Sequence, residues 1–253
     1  MPRQPFVCGN WKMFTRAHSA KDLAAAVAAG VTDDRVRVAV CPPYPYLAMV
    51  AEVLRGTRVE LGAQNLYPAR EGAFTGEVSP EMLQDIGCRF AIVGHSERRH
   101  GLGEKDAFIN RKVRAALDAG LGVVFCIGET LEERQSGQTH SILTTQLVEG
   151  LQGIQAAELP RIVVAYEPCW AIGTGQNATP EQAEEAHAYV RGLCRQYFGD
   201  AAAERLIIQY GGSVNPQNAA AILSEPDVDG ALVGGASLHA EKFLAIVAAA
   251  RNS

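Results

Sequence analysis

Arg161-Ile-Val-Val-Ala-Tyr-Glu-Pro-Cys-Trp-Ala-Ile-Gly-Thr-Gly175 is the stretch on which the fold turns. Ile162 to Ala165 form a short, continuous apolar run rich in β-branched residues, the pattern of a strand buried on both faces of a parallel sheet. Glu167 stands where that strand would emerge, and Pro168 behind it removes a backbone donor and fixes the exit direction of the chain. Ala171 to Gly175 is small and glycine-rich, a segment able to move or to bring backbone N–H groups close to a ligand. A carboxylate on a rigid strand beside a movable lid suits a catalytic base. Taken alone, Glu167 could equally be a strand-end acid in a surface salt bridge.

Outward from this stretch, strand-like apolar runs alternate with helix-period segments through eight cycles. The expected strands are Phe6–Gly9, Val36–Cys41, Val59–Gln64, Phe90–Val93, Gly122–Ile127, Ile162–Tyr166, Leu206–Gln209 and Gly230–Val233. The expected helices are 17–29, 45–55, 80–86, 106–119, 139–152, 180–197, 216–223 and 239–250. Ser79-Pro80-Glu81, Thr179-Pro180-Glu181-Gln182 and Asn215-Pro216 each set a capping residue before a proline at a first helical position, and Thr179 with Gln182 fits a capping box. Short connections and the lack of any charged linker favour one α/β domain over 1–253, a parallel (β/α)8 barrel, over an open doubly wound sheet. The connection from Asn65 to Val78 is longer than the usual two to six residues. With Tyr67 and Phe74 in it, it is expected either to dock into another subunit or to fold on its own surface as an Ω-loop.

Composition bounds the function. The chain of 253 residues is 47% hydrophobic and 20% charged, with a net charge of −5. A general affinity for nucleic acid or an anionic membrane is not expected, and an anionic substrate would need a local positive site. No stretch approaches the roughly 18 apolar residues of a membrane span, and the first apolar run is too short for a signal-peptide core. A cytoplasmic protein is therefore expected. Cys8, Cys41, Cys88, Cys126, Cys169 and Cys194 are dispersed without metal-ligand spacing and read as reduced thiols. Cys169, in the lid, is the one open to oxidation if exposed.

In a barrel of this kind the chemistry gathers at the carboxyl ends of the strands. There the sequence places Asn10 and Lys12 after the first strand, a donor amide and a point charge for a phosphate or oxyanion. A lone lysine is ordinarily a solvated charge, so position is what raises Lys12. His95 leaves the fourth strand, and Ser96 and Glu97 are placed to begin a helical turn whose positive end would keep its imidazole neutral. His18, His100, His140, His187 and His239 read as solvent-facing. Ser213, Gly234 and Gly235 follow strands seven and eight, where paired glycines let N–H groups converge on a phosphate, and Gly173 in the lid could close over it.

Gly173 to Ala178 formally matches a dinucleotide fingerprint, but its helix signal comes too late, and no other cofactor motif is present. A carboxylate base, a neutral histidine, a lysine, a phosphate cradle and a lid suit proton abstraction next to a carbonyl in a small phosphorylated substrate.

C-G-N-W-K-M from Cys8, G-A-F-T-G-E from Gly72, I-V-G-H-S-E-R-R from Ile92, the Tyr166 to Gly175 segment, Y-G-G-S-V from Tyr210 and V-G-G-A-S-L from Val233 together resemble the triosephosphate isomerase family in order and spacing. The likeness runs across essentially the whole chain. It implies interconversion of dihydroxyacetone phosphate and D-glyceraldehyde 3-phosphate, in glycolysis and gluconeogenesis, without metal or organic cofactor. This enzyme is a standard case of carboxylate and imidazole tuning, so the neutral-histidine expectation is not independent of it.

The resemblance further implies Glu167 as the proton shuttle, His95 as the electrophile, Lys12 and Asn10 on substrate charge, and Glu97 as a supporting carboxylate near Lys12. It implies Gly173, Ser213, Gly234 and Gly235 on the phosphate, a lid from Pro168 to Ala178, and a homodimer in which Thr75 approaches the neighbour's Asn10. Cys169, Gln176, Asn177 and Phe14 depart from the family pattern without touching the proton-transfer set. A Schiff-base aldolase using Lys12 and a non-catalytic interaction barrel remain the alternatives.

Overall fold

The computed structural model describes residues 3–172 and 177–251. Eight parallel strands close into a barrel in sequence order: β1 Phe6–Asn10, β2 Arg37–Cys41, β3 Val59–Ala63, β4 Phe90–Val93, β5 Gly122–Ile127, β6 Ile162–Tyr166, β7 Ile207–Tyr210 and β8 Gly230–Val233. Closure is made by β1 against β8, with Phe6 opposite Gly230 and Gly9 opposite Val233. The helices are α1 Ala17–Gly30, α2 Leu47–Leu54, α3 Pro80–Ile86, α4 Asp106–Asp118, α5 Leu131–Gln135, α6 Thr139–Gly150, α7 Pro180–Phe198, α8 Asp200–Ala203, α9 Ala219–Leu223 and α10 Ala240–Ala250. No described helix is long and apolar enough to cross a membrane.

The alternation of side chains along each strand divides the core in two. Val7, Val38, Val40, Val164 and Tyr166 point outward into the layer shared with the helices. Phe6, Cys8, Ala39, Phe90, Ile92, Val124, Cys126, Val163, Ala165 and Leu232 fill the barrel. The amino-terminal end is plugged: the Phe6 and Phe90 rings meet edge to face at 5.6 Å. Arg37 lies 4.2 Å over Phe6 and grips Glu60 through two hydrogen bonds of 2.7 and 2.6 Å. Because Val163 and Ala165 face inward, the next inward position on that strand line is Glu167. The plug below and the open carboxyl end above make that end the available place for a site.

The expected strands are recovered to within a residue. The Thr179–Gln182 capping box forms with bonds of 3.0 and 3.2 Å, and Ser79 accepts from the Met82 N–H at 3.2 Å. The expected helix at 216–223 begins only at Ala219: Asn215 accepts from the N–H groups of Gln217 and Asn218, and that side-chain-bonded turn occupies the first residues. The short helices α5 and α8 were not expected. In α5, Thr130 and Glu133 build a complete capping box across a segment with no apolar stripe to announce it.

The loop from Asn65 to Val78 projects with residues 70–77 exposed, and Phe74 rests on Tyr67 at 4.5 Å between centroids while staying 43% exposed.

Candidate active site

Glu167 follows β6 on the inward line and is 2% exposed. Its backbone N–H donates to Ile127 at 2.8 Å, continuing the β5–β6 ladder and fixing the stem. Gly128 and Gly211 make the room: a Cβ at Gly128 would lie 1.7 Å from the Glu167 carbonyl oxygen, and one at Gly211 2.8 Å from Glu167 Cγ. The carboxylate reaches across the mouth to the end of β4, where Oε1 lies 3.0 Å from His95 Nε2 and Oε2 accepts the Ser96 N–H at 2.8 Å.

His95 is 6% exposed. The chain after β4 turns at once into the single π-helical turn Glu97–Gly101, so the Glu97 N–H donates into His95 Nδ1 at 3.2 Å. In the neutral ring that bond leaves the proton on Nε2, facing Glu167. Burial pushes the His95 pKa down, but the Glu167 carboxylate against the ring outweighs it and holds the pKa above the usual value, which corrects, for the free protein, the expectation that the helical turn would disfavour the charged ring. Burial would likewise raise Glu167, but His95, the Ser96 N–H and Lys12 together leave its pKa lowered. The two groups thus hold each other as a hydrogen-bonded pair in the free protein.

Lys12 adopts φ 51°, in the left-handed region that disfavours a side chain. Two amides hold it there: the Lys12 N–H donates to Asn10 Oδ1 at 3.0 Å, and Gln64 Nε2 donates to the Lys12 carbonyl at 2.7 Å. Its ammonium lies 2.6 Å from Glu97 Oε1. Asn10, Lys12, His95, Glu167, Ser213, Gly234 and Gly235 all line one cleft of about 480 Å³. A Cβ at Gly234 would come within 3.2 Å of Lys12 Cε, and the Ser237 hydroxyl donates to the Gly234 carbonyl at 2.7 Å, so this loop turns its backbone to the lysine. Gly173 lies outside the described residues. Thr75 stands exposed on the loop tip.

The sequence reading missed Glu129. It is fully buried after β5 and accepts from Tyr166 Oη at 3.0 Å, Trp170 Nε1 at 3.0 Å and Arg134 at 3.2 Å. Its carbonyl also takes the Cys169 N–H at 3.0 Å, so the first half of the lid segment is fastened to a buried carboxylate. Its position at a strand's carboxyl end, the signal that found His95, would have found it. His187 corrects the expectation of a solvent-facing histidine: it is fully buried between Tyr166 and Tyr210. Cys169 is half-buried, and burial pushes its thiol up to about 12, which makes it a poor nucleophile.

A family profile described as triosephosphate isomerase matches residues 5–250. The chain belongs to the triosephosphate isomerase family. It is 51% identical to the triosephosphate isomerase of Syntrophotalea carbinolica over 246 residues, covering 97% of this chain and 98% of that one. It is also 51% identical to the triosephosphate isomerase of Rhodopirellula baltica over an alignment of 254 positions that covers 100% of each chain. With the triosephosphate isomerase of Symbiobacterium thermophilum the identity is again 51%, over 252 residues, 99% of this chain and 98% of the relative. Among triosephosphate isomerases, the likeness therefore spans every strand end that lines the cleft.

Proposed function

We propose that this protein interconverts dihydroxyacetone phosphate and D-glyceraldehyde 3-phosphate, with Glu167 carrying a proton between the two substrate carbons through an enediolate. The observation that carries this reading is one cleft holding a buried carboxylate 3.0 Å from an imidazole and an ammonium fixed at 2.6 Å from Glu97, beside glycine loops. Both Glu167 oxygens are engaged in the free protein, so substrate must draw the carboxylate off the Ser96 N–H. Losing that donor and gaining apolar neighbours such as Ile172 and Leu232, which line the same cleft, raises its basicity where a base is needed.

The His95 Nε2–H then faces the carbonyl oxygen and donates to it as charge develops. Lys12, paired with Glu97 at 2.6 Å, neutralises phosphate and enediolate charge, with Asn10 fixing its turn. A side chain already engaged by a carboxylate, and not set in an apolar pocket, does not suit a Schiff-base lysine, which weighs against an aldolase. Backbone N–H groups at Ser213, Gly234 and Gly235 take the phosphate, and Gly173 closes over it with the lid, excluding water and suppressing phosphate loss. Side chains fill every proton-transfer role, so the reaction calls for no metal or organic cofactor.

The same reading gives a homodimer, supported by the exposed loop tip with Thr75 and Phe74 and by exposed Met13, Phe14 and Leu102. A second hollow of about 420 Å³, walled by Met13, Tyr44, Gln64 and Leu102, opens beside Lys12 and His95 and has room for a neighbour's loop tip. It also gives a cytoplasmic enzyme of glycolysis and gluconeogenesis, built as one domain, with a small phosphorylated triose as substrate and no nucleic acid or membrane partner.

The test is the coupled isomerase assay on glyceraldehyde 3-phosphate with EDTA present. Fast turnover is expected, and borohydride added with substrate should leave no adduct on Lys12. A folded dimer without turnover would overturn the proposal.

A further inference from the structure

The cleft is larger than a three-carbon phosphate needs. Its volume of about 480 Å³ falls within the range of about 300–1,000 Å³ typical of sites for drug-sized ligands. The lining continues past the phosphate loops to Phe14, Asn215, Ala236, His239 and Lys242, none of which the proposed isomerisation uses. Lys242 is exposed on the first turn of α10, and among the described residues its ammonium has no hydrogen bond or ion pair. Lys12, by contrast, is already engaged by Glu97 at 2.6 Å. The His239 ring is exposed and likewise unpartnered among the described residues. Neighbouring Glu241 is exposed but does not line the cleft. One open cavity thus carries an uncommitted cation and a ring N–H donor beyond the glycine cradle, with the apolar Phe14 as part of its wall.

We propose that this annex receives a second anionic group, so that small bisphosphates bind across the cradle and the annex and exclude the triose phosphate. The inference rests on the phosphate cradle proposed above. One phosphate takes the backbone N–H groups at Ser213, Gly234 and Gly235, and the other takes Lys242 and His239, in the manner of charge-assisted hydrogen bonds. The consequence is regulation at the active site itself: a bisphosphorylated metabolite acts as a competitive inhibitor, without a separate effector site. Because Lys242 is solvent-exposed, its contribution is modest and weakens with salt.

The experiment compares propyl phosphate with propane-1,3-diyl bisphosphate as inhibitors of the isomerase reaction at low ionic strength. Both should compete with substrate, the bisphosphate about five- to tenfold more tightly. In Lys242→Gln the advantage of the bisphosphate should fall to within about twofold of the monoester, while the monoester constant stays as in the parent and certifies an intact cradle. Equal inhibition by the two compounds in the parent protein would overturn the annex. So would an advantage that survives in Lys242→Gln, or a Lys242→Gln change that weakens both compounds alike. Failure of the monoester to compete at all would instead strike the phosphate cradle, and the inference would fall with it.

Discussion

His187 ties the stability of the protein to acid. Its Nδ1 lies 3.2 Å from the Asp227 carbonyl, which can only accept, so Nδ1 carries the proton. Nε2 is buried against the Tyr166 and Tyr210 rings and has no hydrogen-bond partner among the described residues. A second proton would have to sit on Nε2 without an acceptor. Burial first, and the Arg191 guanidinium nearby, lower the pKa from 6.5 to about 4, although the Asp227 carbonyl and carboxylate oppose them. In the unfolded chain the ring takes its proton below about pH 6.5, while the folded ring stays neutral down to about pH 4. The unfolded state therefore binds more protons across that window, and folding stability falls as pH falls through it.

The loss between pH 6.5 and 4 is on the order of 3 kcal/mol, at 1.36 kcal/mol for each pKa unit. The variant to make is His187→Asn, which can keep a donor towards Asp227 but cannot titrate. Its stability at neutral pH will be lower because packing against the two rings is lost, so the readout is the pH dependence. Denaturant unfolding of both proteins at fixed protein concentration, from pH 7.5 to pH 4, should show the gap between them closing by that amount. A gap that stays constant with pH would refute the tautomer and the burial argument together.

Glu167→Asp should withdraw the carboxylate by one methylene and cost roughly 10²-fold in kcat with the fold unchanged. An unaltered rate would remove Glu167 from the role of base. Gly211→Ala would set a methyl 2.8 Å from Glu167 Cγ and 3.1 Å from the Tyr166 carbonyl, so kcat should drop more than about tenfold and stability by about 1–3 kcal/mol. Full activity with an unshifted Tm would show that the carboxylate stem is not confined there. The Cys169 thiol, pushed up to about 12, should alkylate with iodoacetamide at pH 8 far more slowly in the folded protein than in the unfolded chain. Equal rates in both states would contradict its burial.

The barrel was legible because each strand is a continuous apolar run with a helix signal behind it, and that regularity survives errors of a residue at the ends. Which side of a strand faces the barrel axis was not legible. Val163, Val164 and Ala165 are all apolar, and only closure of the sheet separates the inward Val163 and Ala165 from the outward Val164. The Lys12–Glu97 contact joins residues 85 apart in the chain, and no periodicity brings them together; family likeness did. His187 could have been placed by pattern alone. It falls on the buried stripe of α7 formed by Ala183, Ala186, Val190 and Cys194, and that spacing outweighs the usual preference of histidine for solvent. The Asn215-Pro216 signal marked a real turn, but Asn215 bonded to the next backbone donors and delayed the helix.

Lys12 sets a limit on how this protein could be improved by selection. Its backbone sits at φ 51°, where glycine is at ease and a lysine is not, yet the ammonium that this conformation delivers to the cleft is what glycine cannot supply. A Lys12→Gly exchange would ease that backbone while giving up the Glu97 ion pair, and it would disarm the cleft in the same step. A screen for heat resistance alone does not register that loss, so any directed evolution of the chain needs activity in the selection from the first round.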